Sequence, residues 1–220
     1  QTAAEYHRTG IIPVTLPGNP VWQVTCSACH GTHWRPLYAG QLYLAEDQPD
    51  STCKSCHNMD GATVGQVPHA PQQNMIRGVG NGGYEWPGYN FVNSCHECMI
   101  PGVCALCHMD STTYAGQGEP HTGHGVTPRI ETCLVCHSGP EWVPSDSSFD
   151  FKGVQTHTDS LLAVLAAALN QADTTTLTYQ RAKFDYDFVL NDGSRGIHNA
   201  IYADDLLVAS IASLPLGIEL

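Results

Sequence analysis

The chain has 220 residues, which is enough for one domain or at most two small ones, and its net charge is −12 at pH 7. With 9 Lys and Arg residues against 21 Asp and Glu residues, it lacks the basic surface that phosphate neutralisation requires, so nucleic acid is excluded as a partner. Its longest apolar run, residues 161–169, is far shorter than the about 20 residues of a membrane-spanning helix, so we expect no transmembrane segment.

The ten cysteines form five Cys-x-x-Cys pairs, and four of these pairs are followed directly by a histidine. In chain order these motifs are CSACH at 26–30, CKSCH at 53–57, CALCH at 104–108 and CLVCH at 133–137. Cys-x-x-Cys-His is the attachment signature of c-type haem, in which each thiol adds to one vinyl group and the histidine binds the iron. We therefore predict four covalently attached haems.

The predicted attachment residues are Cys26, Cys29, Cys53, Cys56, Cys104, Cys107, Cys133 and Cys136, and the predicted proximal iron ligands are His30, His57, His108 and His137. Zinc ribbons, disulfides and redox-active thiol pairs also use Cys-x-x-Cys. Zinc does not need a histidine after the second cysteine at every site, so the repeated fifth residue favours haem. Haem is attached to exported chains, so we expect an extracellular or cell-surface protein. The start at Gln1, without a signal-peptide pattern, is typical of a processed chain.

Four haems in 220 residues leave about 55 residues for each haem, and 21 Gly with 14 Pro favour irregular chain. We predict a single tetrahaem cytochrome domain over residues 1–220, mostly irregular and loop-rich, with a few short α-helices and at most a small β-hairpin. The haems are expected to form most of the core. The haem motifs span 26–137, and C-terminal helices and a hairpin at 157–213 are expected to supply distal ligands.

Eight histidines remain for the second axial position of the irons: His7, His33, His69, His96, His121, His124, His157 and His198. This surplus predicts bis-His coordination at every haem, which leaves no open position for a substrate. His33 lies only three residues after His30, so it should reach a neighbouring haem. In the loop before the fourth motif, His124 is preferred over His121. The haem assignments stay open for His7, His33, His69, His121 and His124.

The fifth cysteine pair, Cys95 and Cys98 in CHECM, is followed by Met99 in place of a histidine. All four complete motifs place a histidine at this position, so we predict that CHECM does not attach a fifth haem. In an oxidising extracellular setting we interpret the two cysteines as a local disulfide that holds the loop entering the third haem site. His96, inside this loop, is assigned a structural role.

Two stretches are rich in aromatic residues. Residues 58–94 predict an ordered loop that packs aromatic side chains such as Trp86 against haem edges. Residues 174–179 and 184–190 alternate with period two, which predicts a short hairpin. One face of this hairpin would carry Phe184, Tyr186 and Phe188. That face is either part of the core or an edge for pairing with another chain.

His157 is predicted as a distal ligand at the start of a helix. It precedes Thr158 and Asp159, a plausible N-cap pair, and then the apolar run 161–169. Because that run is apolar nearly all round, its helix should lie between haems or at a subunit contact.

His198 is the distal ligand that the sequence favours most. Asp192 and Gly193 predict a turn before it, and a helix is expected to begin near Asn199. A ligand at a helix start is held by the packing of the helix behind it. The apolar periodicity places three side chains inwards, Tyr202, Leu206 and Leu207, and two carboxylates largely outwards, Asp204 and Asp205.

The four motifs, the histidine three residues past the first motif and the GIHNAIY stretch at 196–202 together resemble the tetrahaem OmcE-type extracellular cytochrome nanowires. The GIHN segment is also similar to distal-ligand segments in larger multihaem oxidoreductases. The first resemblance implies a helical homopolymer with a continuous haem chain, in which His33, or else His7, ligates a haem of the next subunit. Such head-to-tail interfaces do not close. Its partners would be identical subunits, redox proteins and extracellular acceptors.

We therefore predict an electron-transfer protein and not an enzyme, namely a filament that conducts electrons through bis-His haems to external acceptors. A soluble periplasmic tetrahaem shuttle is the alternative of the same class, and it would be a monomer with all ligands internal. A multihaem reductase is less favoured, because it needs a five-coordinate haem and usually a cationic pocket. A zinc-based interaction module is the remaining alternative.

Overall fold

The computed structural model describes residues 29–30, 50–59, 62–63, 65–79, 85–94, 96–100, 102–109, 126–137, 139 and 149–214, and the backbone of 111–112 and 121–122. The haem-motif region has short helices: Ser51–Lys54 (α1), Gln72–Arg77 (α2), His96–Met99 (α3), Val103–His108 (α4) and Ile130–Cys133 (α5). Two two-residue strands, Ser111–Thr112 (β1) and His121–Thr122 (β2), pair antiparallel. The prediction of a loop-rich fold is confirmed.

Three longer helices follow the haem motifs and pack against one another. A 3₁₀ turn, Phe151–Gly153, leads into Val154–Leu169 (α6), which is followed by Leu177–Asp192 (α7) and Ala200–Ser213 (α8). Among the described residues, no helix combines the length and the apolar character needed to cross a bilayer.

The hairpin predicted at 174–190 is wrong, because α7 occupies this stretch. The Thr176 hydroxyl caps the helix by accepting a hydrogen bond from the Tyr179 amide at 3.1 Å. Phe184 and Phe188 alternate with Tyr186, but they are also four residues apart, which is one helical turn. Both phenylalanines are buried. The spacing of these aromatic residues therefore fits a helix as well as a strand.

Helix α6 begins earlier than predicted, at Val154, so His157 lies inside the helix and not before it. The Asp150 carboxylate sets this start, since it accepts hydrogen bonds from the amides of Gln155 at 2.7 Å and Thr156 at 3.1 Å. It therefore satisfies amide groups that the first helical turn leaves without partners.

Helix α8 begins where the sequence predicted it, with Asn199 as its N-cap. The Asn199 side chain is buried and also donates to the Met75 carbonyl at 3.1 Å and to Asn93 Oδ1 at 2.9 Å. It accepts from the Ser94 amide at 2.9 Å. One side chain thus ties the helix start to the loop that precedes the CHECM segment.

The helices α6, α7 and α8 enclose an apolar core of their own. Its largest fully buried side chains include Phe184, Phe188, Tyr202, Leu165 and Leu206. Sequence reasoning assigned most of the core to haems, whereas this part of the chain is held by its own side chains. As predicted, Tyr202, Leu206 and Leu207 point inwards.

Trp86 packs into this core. The sequence analysis had instead predicted that it packs against a haem edge. Its indole N–H lies 2.9 Å from Asp185 Oδ2 and 2.9 Å from the Ser210 hydroxyl, which itself donates to Asp185 Oδ2 at 2.8 Å. Burial raises the pKa of Asp185 to about 8, although the hydrogen bonds from Ser210 and Trp86 lower it. This carboxyl group is therefore protonated in the folded chain at neutral pH.

We predict that Asp185→Asn flattens the pH dependence of stability. In the unfolded chain Asp185 loses its proton above its ordinary pKa of 3.8, whereas the folded chain keeps it to about pH 8. The folded state then binds more protons between these values, so stability of the unmodified chain falls as pH rises from about 4 to about 8. An asparagine amide mimics the protonated carboxyl at every pH. Urea unfolding across this pH range should show that the difference in unfolding free energy between the two proteins changes with pH. Parallel curves of unfolding free energy against pH would contradict the prediction.

Candidate haem sites

The second and third motifs lie side by side. The Cys53 thiol, on α1, shares a hydrogen bond with the Cys104 thiol, on α4, and this bond together with burial raises the pKa of Cys104. The buried Asp50 carboxylate, next to α1, accepts from the Ala105 amide of α4 at 3.1 Å. A side chain of one motif is thus in direct contact with a side chain of the next.

The third and fourth motifs are also neighbours, since α4 packs on α5. Burial raises the pKa of the Cys107 thiol, and the nearby Cys133 and Asp50 raise it further. The attachment residues of three consecutive motifs therefore form one contiguous group. Of the first motif the structure describes only Cys29 and His30.

Two of the histidines predicted as proximal ligands are hydrogen-bonded through the same ring nitrogen, Nδ1. His57 Nδ1 lies 3.2 Å from Gln72 Oε1, and His108 Nδ1 lies 3.0 Å from the Val126 carbonyl oxygen. Both partners are oxygen acceptors, so Nδ1 carries the proton and Nε2 keeps its lone pair. Metal-binding histidines are oriented in this way by their outer hydrogen bonds. These residues fit c-type haem.

His198 faces the third motif. Its ring centroid lies 6.2 Å from that of His108, with the two planes at 54°. A metal–nitrogen bond of about 2.0 Å on each side, with about 1.1 Å from nitrogen to ring centroid, puts the centroids of two trans imidazoles about 6 Å apart. The separation therefore leaves room for one iron between them.

A buried carboxylate holds the ring of His198 in a fixed orientation. His198 Nδ1 donates to Asp192 Oδ1 at 2.6 Å, and the Asp192 side chain is 1% exposed. The Ser194 hydroxyl donates to the other oxygen of Asp192. The pair at 2.6 Å is a carboxylate–histidine arrangement typical of metal sites, and it leaves Nε2 of His198 available. The sequence had proposed His198 as a ligand but had not assigned it to a haem.

His96 faces the fourth motif. Its ring centroid lies 6.3 Å from that of His137, with the planes at 89°, and the ring of Phe151 lies 5.5 Å from His137. Burial lowers the pKa of His137, and the nearby His96 and Lys152 lower it further. Sequence reasoning gave His96 a structural role and missed this proximity, because nothing in the local spacing connects His96 with His137.

His157 stands apart from the described haem motifs. It is 62% exposed, and its Nε2 lies 2.6 Å from Asp204 Oδ1 of α8. That hydrogen bond occupies the nitrogen that would bind iron, so it would have to break for His157 to act as a ligand. His69 is exposed. His121 contributes backbone to β2, while His7, His33 and His124 lie outside the described residues, so their assignments stay predictions.

The broken motif is partly described. Cys98 is disulfide-bonded, but Cys95 lies outside the described residues, so the predicted Cys95–Cys98 pairing stays a prediction. Met99 is 79% exposed. The seven other described cysteines, all in the Cys-x-x-Cys-His motifs, form no disulfide in this structure, so their sulfur atoms remain available for thioether attachment.

We predict that Asp192→Asn raises the midpoint potential of the third haem. The carboxylate stabilises the more positive ferric state through His198, and an amide removes that charge. We expect a shift on the order of 50 mV, because about 59 mV corresponds to a tenfold change in a one-electron equilibrium. Spectroelectrochemical titration measures it. Asp204→Asn, at the His157 partner, is the matched control and should leave all potentials unchanged; a comparable shift there would make His157 a ligand.

Two solved structures are similar to this chain. The outer cell wall cytochrome OcwA is 26% identical, with a TM-score of 0.65, and the match covers 86% of this chain. The undecaheme cytochrome from the S-layer of Carboxydothermus ferrireducens is 23% identical, with a TM-score of 0.57 and 87% coverage of this chain. This chain spans 39% and 31% of their lengths.

No protein family profile matches the chain, and no curated protein matches it. Together with the four motifs, the structural similarity supports a multihaem cytochrome. It does not extend to the OmcE-type tetrahaem group in particular, and that narrower resemblance stays a prediction.

Proposed function

We propose that this chain is an extracellular electron-transfer protein that carries electrons through a row of bis-His c-type haems. The observation that carries this proposal is the contiguous group formed by the second, third and fourth motifs, with Cys53 against Cys104 and Cys107 near Cys133. Thioether links at these positions would hold neighbouring haems close together. Close edges are what electron transfer between haems requires.

The chain's own residues support transfer in preference to substrate chemistry. The His198 ring lies 6.2 Å from the His108 ring, so these two histidines would fill both axial positions of a haem iron at the third motif. Iron held in this way cycles between two oxidation states without binding a substrate. The sparse positive charge, 9 Lys and Arg in 220 residues, also fits poorly with a reductase for oxyanions.

We further propose that the chain polymerises into a filament, with His33, or else His7, ligating a haem of the next subunit. This step rests on the resemblance to the OmcE-type nanowires and on the acidic, loop-rich composition. A filament would lead electrons away from the cell to minerals, electrodes or other external acceptors.

A second candidate is a cell-surface electron conduit that does not polymerise. The similarity to an outer cell wall cytochrome and to an S-layer cytochrome favours it, as does the small share of those chains that this chain spans. In that case the haem row would be one section of a longer path across the cell surface.

Spectroscopy and microscopy of the purified protein test the two parts of the proposal separately. Four haems by intact mass, low-spin visible bands and no carbon monoxide binding after reduction are expected for the electron-transfer part. A high-spin, carbon monoxide-binding haem in the unmodified protein would contradict it and favour a reductase. Filaments in negative-stain electron microscopy are expected for the second part, and particles that stay monomeric at every concentration would contradict it.

A further inference from the structure

The geometry points to His96, inside the broken CHECM motif, as the distal axial ligand of the fourth haem, opposite His137. The two ring centroids are 6.3 Å apart, close to the 6.2 Å that separates His198 from His108. Each pair joins one proximal histidine to one from a distant part of the chain. Both separations match the about 6 Å expected for two imidazoles on opposite sides of a metal.

The segment that carries His96 is anchored to the rest of the haem region. Glu97 accepts from Lys54 Nζ of α1 at 2.8 Å and lies 3.5 Å from Arg77 Nε of α2. Within α3 the Ile100 amide donates to the His96 carbonyl at 3.0 Å, and Cys98 is held by a disulfide. A short helix fixed by two cations and a cross-link gives a ligand a defined position, which axial coordination requires.

His137, the second member of the pair, also has a defined position. His137 follows Cys136 directly, so a haem attached at the fourth motif has its iron at this imidazole. The buried Phe151 packs 5.5 Å from the His137 ring. The His96 ring lies 6.3 Å from the His137 ring, and the two ring planes make an angle of 89°. A haem attached at the fourth motif would then be held by His137 on one side and by His96 on the other.

This inference gives the CHECM segment a role as a source of an iron ligand, in addition to its predicted disulfide. The CHEC loop attaches no haem, and we infer that it presents a histidine between two cysteines to the haem of a later motif. The inference rests on one part of the proposed function, namely that the fourth motif carries a haem. The competing account is an edge-to-face contact between two uncoordinated imidazoles, because perpendicular rings at this distance also attract each other.

The test compares His96→Ala with Met99→Ala in the full-length haem-loaded protein. Met99 lies on the same short helix as His96, is 79% exposed and is not a candidate ligand, so it serves as the matched control. We expect His96→Ala to keep all four haems by intact mass, while one haem in four becomes high-spin and binds carbon monoxide after reduction. Met99→Ala should remain low-spin throughout. A His96→Ala protein with four low-spin haems and no carbon monoxide binding would overturn the inference.

A second variant keeps the inference falsifiable if His96→Ala does not fold. His96→Met offers iron a thioether in place of an imidazole, and Met/His coordination raises the potential of a haem. We expect one of four midpoint potentials to rise, with the low-spin spectrum retained, while Met99→Ala changes none. Four unchanged potentials in His96→Met would overturn the inference. The haem count of the unmodified protein is measured alongside, so a missing fourth haem would be recognised as a failure of the proposed function.

Discussion

Replacing Cys104 and Cys107 together with serine is expected to remove one covalently bound haem, whereas the same change at Cys95 and Cys98 is expected to leave the haem number unchanged. The first pair belongs to a complete Cys-x-x-Cys-His motif, and both of its thiols are free for attachment. In the second pair Met99 replaces the proximal histidine and Cys98 is already in a disulfide. Intact mass and haem absorbance per chain distinguish the two outcomes.

The loss of the third haem should also slow electron transfer along the row. The third motif contacts the second through Cys104, and its Cys107 lies near Cys133 of the fourth, so its haem would lie between theirs. Flash-reduction kinetics should show slower equilibration between the remaining haems in the Cys104 and Cys107 variant than in the Cys95 and Cys98 variant. Loss of a haem from both variants would mean that CHECM is a fifth attachment site, and loss from neither would contradict attachment at CALCH.

Phe188→Ala is expected to destabilise the chain by about 3–5 kcal/mol, the usual cost of emptying a buried phenylalanine site. Phe188 is 1% exposed at the centre of the core between α6, α7 and α8. Its ring stacks on Phe184 at 6.3 Å and meets the edge of Tyr202 at 6.5 Å. Removal of the ring leaves a cavity that helices on three sides cannot all close. Urea unfolding followed by helical circular dichroism measures the change.

Leu190→Ala on the same helix is the matched control. Leu190 is 48% exposed, and both leucine and alanine favour helix, so its replacement should change stability by about 0.5 kcal/mol or less. If the haems provided most of the stability of this region, the two variants would unfold at similar urea concentrations. That outcome would contradict a separate apolar core in the C-terminal helices.

The helix α8 and its histidine were predictable because their signals are local. The turn at Gly193, the N-cap at Asn199 and the inward side chains Tyr202 and Leu206 all follow from neighbours within a few residues. Helix α7 was missed for the opposite reason. Phe184, Tyr186 and Phe188 satisfy both a strand period and part of a helical period, and only packing against Tyr202 and its neighbours selects the helix.

The sequence by itself predicts the attachment chemistry, because both thiols and the proximal histidine of a c-type haem site must be adjacent in the chain. Only the tertiary structure decided which distant histidine faces which motif. His198 reaches His108 and His96 reaches His137 through helix packing, a buried Asp192 and the ion pairs of Glu97. An axial ligand need only lie on the far side of the iron. A distal ligand can therefore come from any position in the chain, and its identity cannot be predicted from the local spacing of residues.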